Sequence, residues 1–233
     1  MIEGRSVYLA IPCYTGTVKV EMAHSLVEGV LDLKSKGVDV KIRFNPGDSI
    51  ISRCRNLFVA SFLASDCTDL IFVDEDVQWE HGAMSRLMAH EGDVIAGVYP
   101  KRQDPLSFPV RWLPGKPIIQ EGSGLVEVAG APTGFMRITR RCLETMREQY
   151  AHHAYRQEHV PGGQAWALFD FEMSGGEYWG EDMVFCRRWR ALGGKVWVDP
   201  GITFAHVGRK VYMGNLQAWL EAQLAQQPEH AGA

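Results

Sequence analysis

The sequence predicts an α/β fold with a mixed, mainly parallel sheet flanked by helices, and three observations carry that expectation. Short apolar runs alternate with apolar residues at helical spacing over the first hundred positions, as in βα units joined by crossovers. The run Leu70-Ile71-Phe72-Val73 is apolar throughout and polar at both ends, the pattern of a strand buried on both faces. That run closes on Asp74-Glu75-Asp76, and the carboxyl ends of such strands are where open α/β sheets bind ligands.

Element by element, Val7 to Ile11 reads as a first buried strand, closed by Pro12-Cys13-Tyr14-Thr15-Gly16. Met22, Leu26, Val30 and Leu33 then recur at helical spacing up to a stop at Gly37. Val38, Val40, Ile42 and Phe44 alternate as a strand ending at Asn45-Pro46-Gly47, and Leu57 to Leu63 supplies a second apolar helix. After the Asp74 strand come a helix around Met84 to Met88 and a strand from Asp93 to Tyr99. Beyond Lys101 the texture changes. Pro105, Pro109, Pro114 and Pro117 break up short strands, and Leu125 to Val128 leads into Ala131-Pro132-Thr133-Gly134-Phe135-Met136. Arg141 to Tyr150 reads as a helix, whereas His152 to Gly176 is polar and irregular and is expected to be a mobile lid. Glu181 to Leu192 is helical, with acids in its first turn and arginines later, matching the macrodipole. Lys195 to Val198 and Ile202 to Ala205 read as short strands, and residues 213 to 225 as a terminal helix before a frayed tail.

Composition bounds the function. The chain has 233 residues, 46% hydrophobic and 22% charged, an ordinary balance for one soluble α/β core. A formal charge of −4 gives no global drive toward nucleic acid or anionic membrane. Five scattered cysteines without a C-x-x-C pair point to reduced thiols rather than disulfides or zinc. No apolar stretch approaches the roughly 18 residues of a membrane span, and Val7 to Ile11 is too short for a signal peptide, so a cytoplasmic protein is expected. Ile2-Glu3-Gly4-Arg5 matches a protease-recognition sequence common in engineered proteins.

In an extended chain Asp74 and Asp76 point to one side, where a single Mg²⁺ or Mn²⁺ can bridge them to phosphate oxygens. An apolar strand followed by Asp-Glu also describes the Walker B element of a P-loop ATPase. That reading needs G-x-x-x-x-G-K-[ST], and the nearest string, Gly193-Gly194-Lys195-Val196, lacks both spacing and hydroxyl. Arg53 and Arg55 fall in a helical first turn, electrostatically odd unless an anion arrives there.

Four elements stand in one order: an apolar strand with Pro12-Cys13-Tyr14, the Asp74-Glu75-Asp76 triplet, Gly180-Glu181-Asp182 opening a helix, and Ala205-His206-Val207-Gly208. With Ser52-Arg53-Cys54-Arg55-Asn56, Gly97-Val98-Tyr99-Pro100-Lys101-Arg102 and Glu181 to Arg188, this order resembles the GT-A class of nucleotide-sugar glycosyltransferases, especially family 2-like bacterial and phage enzymes, over roughly residues 6 to 208. The resemblance implies a GT-A (Rossmann-like) fold in one catalytic domain spanning 1–233. A nucleotide-sugar half would cover about 6–102, an acceptor half 103–208, and a helix and tail 209–233. It implies Asp74, Asp76 and His206 as ligands of Mn²⁺ or Mg²⁺, Asp76 the more direct, and Asp182, beside Glu181, as the base that takes the acceptor hydroxyl's proton in an inverting transfer. Pro12, Tyr14 and Thr15 would receive the nucleoside. Arg53, Arg55, Asn56, Glu75 and Lys101, with Arg102 beside it, would hold base, diphosphate or donor sugar. Tyr178 and Trp179 offer faces for a sugar ring, and Thr133 and Gly134 would shape the pocket wall.

The expected donor is a UDP- or GDP-sugar. The expected acceptor is a glycan, a lipid-linked sugar, a protein or modified DNA, with no integral membrane contact. Rival readings are a retaining transferase of the same fold, which would not need Asp182 as base, and a non-catalytic nucleotide-sugar-binding protein. A sugar nucleotidyltransferase fits less well, since Tyr14-Thr15-Gly16-Thr17 lacks its glycine-rich basic loop.

Overall fold

A computed structural model of the chain describes residues 2–225. Its elements are β1 (Ser6–Cys13), α1 (Val20–Ser35), β2 (Asp39–Pro46), α2 (Ile51–Leu63), β3 (Asp69–Val73), β4 (Val77–Trp79), α3 (Ala83–Ala89) and β5 (Val94–Gly97). There follow β6 (Ile118–Ile119), β7 (Val126–Val128), β8 (Phe135–Thr139), α4 (Arg140–Gln149), β9 (Ala154–Arg156), β10 (Gln164–Trp166), β11 (Glu172–Ser174) and β12 (Glu177–Trp179). The last are α5 (Glu181–Ala191), β13 (Val196–Asp199), β14 (Thr203–Val207), β15 (Val211–Asn215) and α6 (Leu216–Ala225).

The main sheet has eight strands in the order β2-β1-β3-β8-β5-β13-β7-β6. Only β8 and β7 oppose the rest, so six of the eight share one direction and the sheet is mixed but mainly parallel. Alternation along the strands sorts the core into two layers. Tyr8, Ala10, Leu70 and Phe72 face α2, α4 and α5, while Val7, Leu9, Ile11, Ile71 and Val73 face α1, α3 and the small sheet β15-β14-β4. At about 25 cal/mol per Å², each fully buried Leu, Ile or Phe among them contributes roughly 2 kcal/mol.

Two helices end on arginines instead of side-chain caps or glycines. Arg140, at the start of α4, donates to the carbonyls of Phe62, Leu63, Ser65 and Cys67 around the end of α2. Arg137, fully buried on β8, donates to Leu87, His90 and Gly92 around the end of α3 and lies 3.2 Å from Asp69. A guanidinium's forked donors suit the orphan carbonyls of a helix terminus.

Three expectations change. The segment 152–176 is not irregular: with Glu177–Trp179 it forms the hairpins β9-β10 and β11-β12, anchored by buried Val160, Ala165, Leu168 and Phe169. Phe169 stacks on Phe185 of α5 with centroids 4.3 Å apart, which holds the segment to the helix. The terminal helix starts at Leu216, because Val211–Asn215 pairs with β14. α2 begins at Ile51, six residues before its apolar run, since polar Ser52, Arg53, Arg55 and Asn56 form its first turns. The frayed tail expected after residue 225 lies outside the described residues. Among those residues, no helix is long and apolar enough to cross a membrane.

Candidate active site

The carboxyl ends of β1, β3 and β5, the amino end of α5 and the β14 strand surround a cleft of about 660 Å³. Its walls carry Pro12 and Tyr14 from β1 and the turn after it, Asp74-Glu75-Asp76 after β3, Tyr99, Lys101 and Arg102 after β5, Asp182 and His206. Residues far apart in sequence thus meet because parallel strands deliver their loops to one edge.

Asp74 is held from three sides. Its Oδ1 accepts from Arg55 Nη2 at 3.1 Å, its Oδ2 accepts from the Tyr99 hydroxyl at 3.1 Å, and its backbone N–H donates to Gly134 O at 3.0 Å. Only glycine fits at 134: a Cβ there would lie 2.2 Å from Asp74 Oδ2 and 2.4 Å from the Tyr99 hydroxyl. Arg55 is almost wholly buried and bridges the two halves of the site, since its Nε donates to Glu181 Oε1 at 3.1 Å. Burial disfavours that guanidinium's charge, yet Asp74 and Glu181 hold its pKa above the ordinary value. Arg55 Nη1 and Glu75 Oε2, both on cleft-lining residues, are buried without a hydrogen-bond partner. Such orphans cost about 1–3 kcal/mol each, which a polar ligand would relieve.

Asp76 has different company. Its Oδ2 pairs with Arg102, and its Oδ1 lies 3.4 Å from His206 Nε2. His206 Nδ1 lies 2.9 Å from the Pro100 carbonyl, which can only accept, so the ring donates there and turns its Nε2 lone pair toward the carboxylate. Burial lowers the His206 pKa and keeps the ring neutral. Two acceptors facing each other across 3.4 Å call for a cation between them, and a carboxylate with a backbone-oriented imidazole is a donor set that suits Mn²⁺ or Mg²⁺. Asp74 receives Arg55 on one carboxylate oxygen and Tyr99 on the other. Among the described residues no group of three His, Cys, Asp or Glu side chains converges on one metal position.

Asp182 lines the cleft one residue inside α5, whose N-cap is Gly180. Its Oδ1 accepts from the Met183 N–H at 2.7 Å. Burial and then the neighbouring Glu181 push its pKa up to about 6, outweighing that hydrogen bond and the helix start, which by itself would keep the group ionised at low pH.

Several expected residues lie elsewhere. Arg53 donates to Asp48, which also accepts from the Ile50 N–H, so the anion that meets this basic first turn is the chain's own carboxylate. Asn56 is buried and spends both ends of its amide on the backbone of Phe169. Thr15 bonds Thr17 at 2.8 Å in the exposed turn and does not line the cleft. Guanidiniums stand over the Trp179 ring, Arg111 at 3.7 Å and Arg187 at 4.5 Å, whereas Tyr178 is exposed and stacks on Phe171. Tyr99 was missed as a site residue. A tyrosine ending an apolar strand reads as core, and only its tertiary contact with Asp74 places it at the cleft.

No family model and no curated protein matches the chain. Solved structures do. A197 from STIV is 18% identical and covers 91% of this chain and 94% of its own, at a TM-score of 0.53. The catalytic domain of Drosophila β1,4-galactosyltransferase 7, complexed with xylobiose, is 14% identical and covers 98% of this chain and 82% of its own, at 0.50. GalNAc-T7 with UDP, GalNAc and Mn²⁺ is 10% identical over 88% of this chain and 44% of its own, at 0.44, too distant to bear on it. At these identities the likeness carries the fold alone, which is of the GT-A type.

Proposed function

We propose that this chain is a divalent-metal-dependent glycosyltransferase, of bacterial or phage family 2-like type. It would move a sugar from a nucleoside diphosphate sugar, UDP- or GDP-linked, to an acceptor hydroxyl with inversion. The observation that carries the reading is a single cleft holding the Asp76–His206 pair, the cations Lys101 and Arg102, and the half-buried carboxyl of Asp182. Cations beside a hard-metal donor set suit a diphosphate, and a carboxyl poised near neutrality suits proton removal from a hydroxyl.

In this reading Pro12 and Tyr14 receive the nucleoside at the cleft rim, and Lys101 and Arg102 neutralise the diphosphate. Arg55 Nη1 and Glu75 Oε2 find partners on the donor's hydroxyls. Asp76 and His206 would hold Mn²⁺ or Mg²⁺, which when bound supplies positive charge to the departing nucleoside diphosphate. Asp74, braced by Arg55 and Tyr99, orients donor hydroxyls rather than the ion. Asp182 takes the acceptor's proton as its oxygen attacks the anomeric carbon. Glu181, tied to Arg55, keeps that helix end in register with the donor side. The acceptor, a glycan, lipid-linked sugar, protein or modified DNA, approaches from the half after residue 102, where Tyr178 offers an open aromatic face. All five cysteines are free and buried, which suits a reducing cytoplasm.

The test is thermal unfolding with UDP, GDP and their sugars, with and without Mn²⁺. A true donor raises the unfolding temperature by mass action, and only with metal. No shift with any of them would remove the reading. Turnover should invert the anomeric centre; a product that keeps the donor's configuration would transfer the assignment to a retaining enzyme without Asp182 as base.

A further inference from the structure

Arg102 stands beside the Asp76–His206 pair, on the other oxygen of the same carboxylate. Its guanidinium pairs with Asp76 Oδ2, while Asp76 Oδ1 faces the His206 lone pair. The backbone on both sides of Arg102 is tied, Lys101 N–H to Ser107 O at 2.8 Å and Gln103 N–H to Lys101 O at 2.9 Å, so only the side chain is free to move. It runs over Gly208, where an added Cβ would stand 3.3 Å from Arg102 Cδ, and 42% of its side chain is open to solvent. A guanidinium keeps its charge at any working pH and prefers planar or tetrahedral oxyanions.

We propose that Arg102 is a tethered counter-ion which neutralises the Asp76 carboxylate before ligands bind, gives that carboxylate up to the divalent metal, and swings onto the diphosphate that arrives with it. The inference rests on the metal-dependent reading above and deepens it. Metal alone must displace a cation from Asp76 and leave Arg102 without an anion. Nucleoside diphosphate alone brings two phosphates to a wall where Asp76 is still neutralised by the residue that should grip them. Arriving together, metal and diphosphate satisfy both Asp76 and Arg102, so each tightens the other's binding, a coupling that works equally in both directions. Glu75 and His206 are the other ionisable groups facing Arg102: Glu75 has one oxygen, Oε2, buried, and His206 presents an imidazole nitrogen rather than an oxyanion. Lys101, on the same loop, adds a second cation for the diphosphate but makes no ion pair with Asp76.

Mn²⁺ binding is measured by electron paramagnetic resonance of the free ion, without nucleotide and with saturating UDP or GDP, for the wild type, Arg102→Gln and Arg102→Lys. The wild type should bind Mn²⁺ weakly alone and at least tenfold more tightly with the nucleotide it accepts. Arg102→Gln should bind Mn²⁺ alone about tenfold more tightly than the wild type and lose most of the nucleotide's effect, while Arg102→Lys stays near the wild type. If Arg102→Gln matches the wild type in both measurements, the counter-ion role is overturned and the metal site stands. If none of the three proteins binds Mn²⁺ with either nucleotide, the metal-dependent reading itself fails and the inference falls with it.

Discussion

Asp182 carries two opposed demands, burial that favours its neutral form and the proposed role as base, which needs the anion. With a pKa of about 6 it is still mostly ionised at neutral pH, so transfer should rise with pH through about 6 and level off above it, as a pH–rate profile would record. The sign for stability is the reverse. A carboxyl raised from 3.8 to about 6 contributes stability that is complete below pH 3.8 and lost as pH climbs through 6, up to about 3 kcal/mol for two units. Asp182→Asn should therefore melt at or above the wild-type temperature at pH 7, bind nucleoside diphosphate with little change, and lose transfer by about 10²-fold or more. Gly134→Ala is the complementary case. Its Cβ would collide with Asp74 and Tyr99, so nucleotide affinity should fall by roughly tenfold and stability by about 1–3 kcal/mol, read by calorimetry and urea melts. At this scale the meeting of Asp76, His206 and Asp182 at one cleft was legible because their residue types carry chemistry wherever strands and helices end at a cleft. Arg53 and Asn56, expected on the donor, have partners that sequence does not display, Asp48 and the Phe169 backbone.

Among the elements, β1, β3, α1 and α5 were legible because an apolar run or a clean 3.6-residue spacing survives in each. β4 and the hairpin strands have three residues apiece, too few for any period to show, and the orientation of β8 is set by its neighbours rather than by its own composition. Nor does sequence announce that α2 and α3 end on arginines from another part of the chain. Arg140→Ala should lower stability by about 2 kcal/mol, since four carbonyls lose a charged donor, while nucleotide affinity stays unchanged because the residue does not line the cleft. Urea unfolding beside calorimetric titration separates the two. The hairpins of 152–176 give a prediction opposite to that of a lid. Glu172 binds Arg187 and Arg188 of α5, and proteolysis should cut only at the Gly162-Gly163 and Gly175-Gly176 turns, at rates that nucleotide and metal leave unaltered. Ligand-dependent protection of the whole segment would contradict this.

For the molecule as a whole, the acid limb of stability includes carboxylates that do not line the cleft. Burial pushes the Asp199 carboxyl up, but His90 at 2.7 Å and Arg86 more than offset it, and its pKa lies below the ordinary value. Glu127 is lowered in the same way, against its own burial, by Arg190 and Lys195. A lowered carboxylate contributes stability that is present above its unfolded pKa and lost as pH falls through the folded one, so unfolding should steepen below about pH 4. Asp199→Asn should cost about 3 kcal/mol at pH 7 by leaving its partners unpaired, and should flatten that acid limb in melts taken from pH 7 to pH 3.

The place of β8 has a consequence for how the chain comes to be folded. Its residues 135–139 sit between β3 and β5, both made earlier, and β13 then pairs with the far side of β5. While the ribosome has delivered only the first hundred residues, β3 and β5 have no strand between them, and their inner edges wait for a segment not yet synthesised. The part up to about residue 102 is thus no autonomous foldon: a fragment ending there would expose two unpaired hydrophobic edges and aggregate, and the nascent chain must be shielded until β8 threads into the gap.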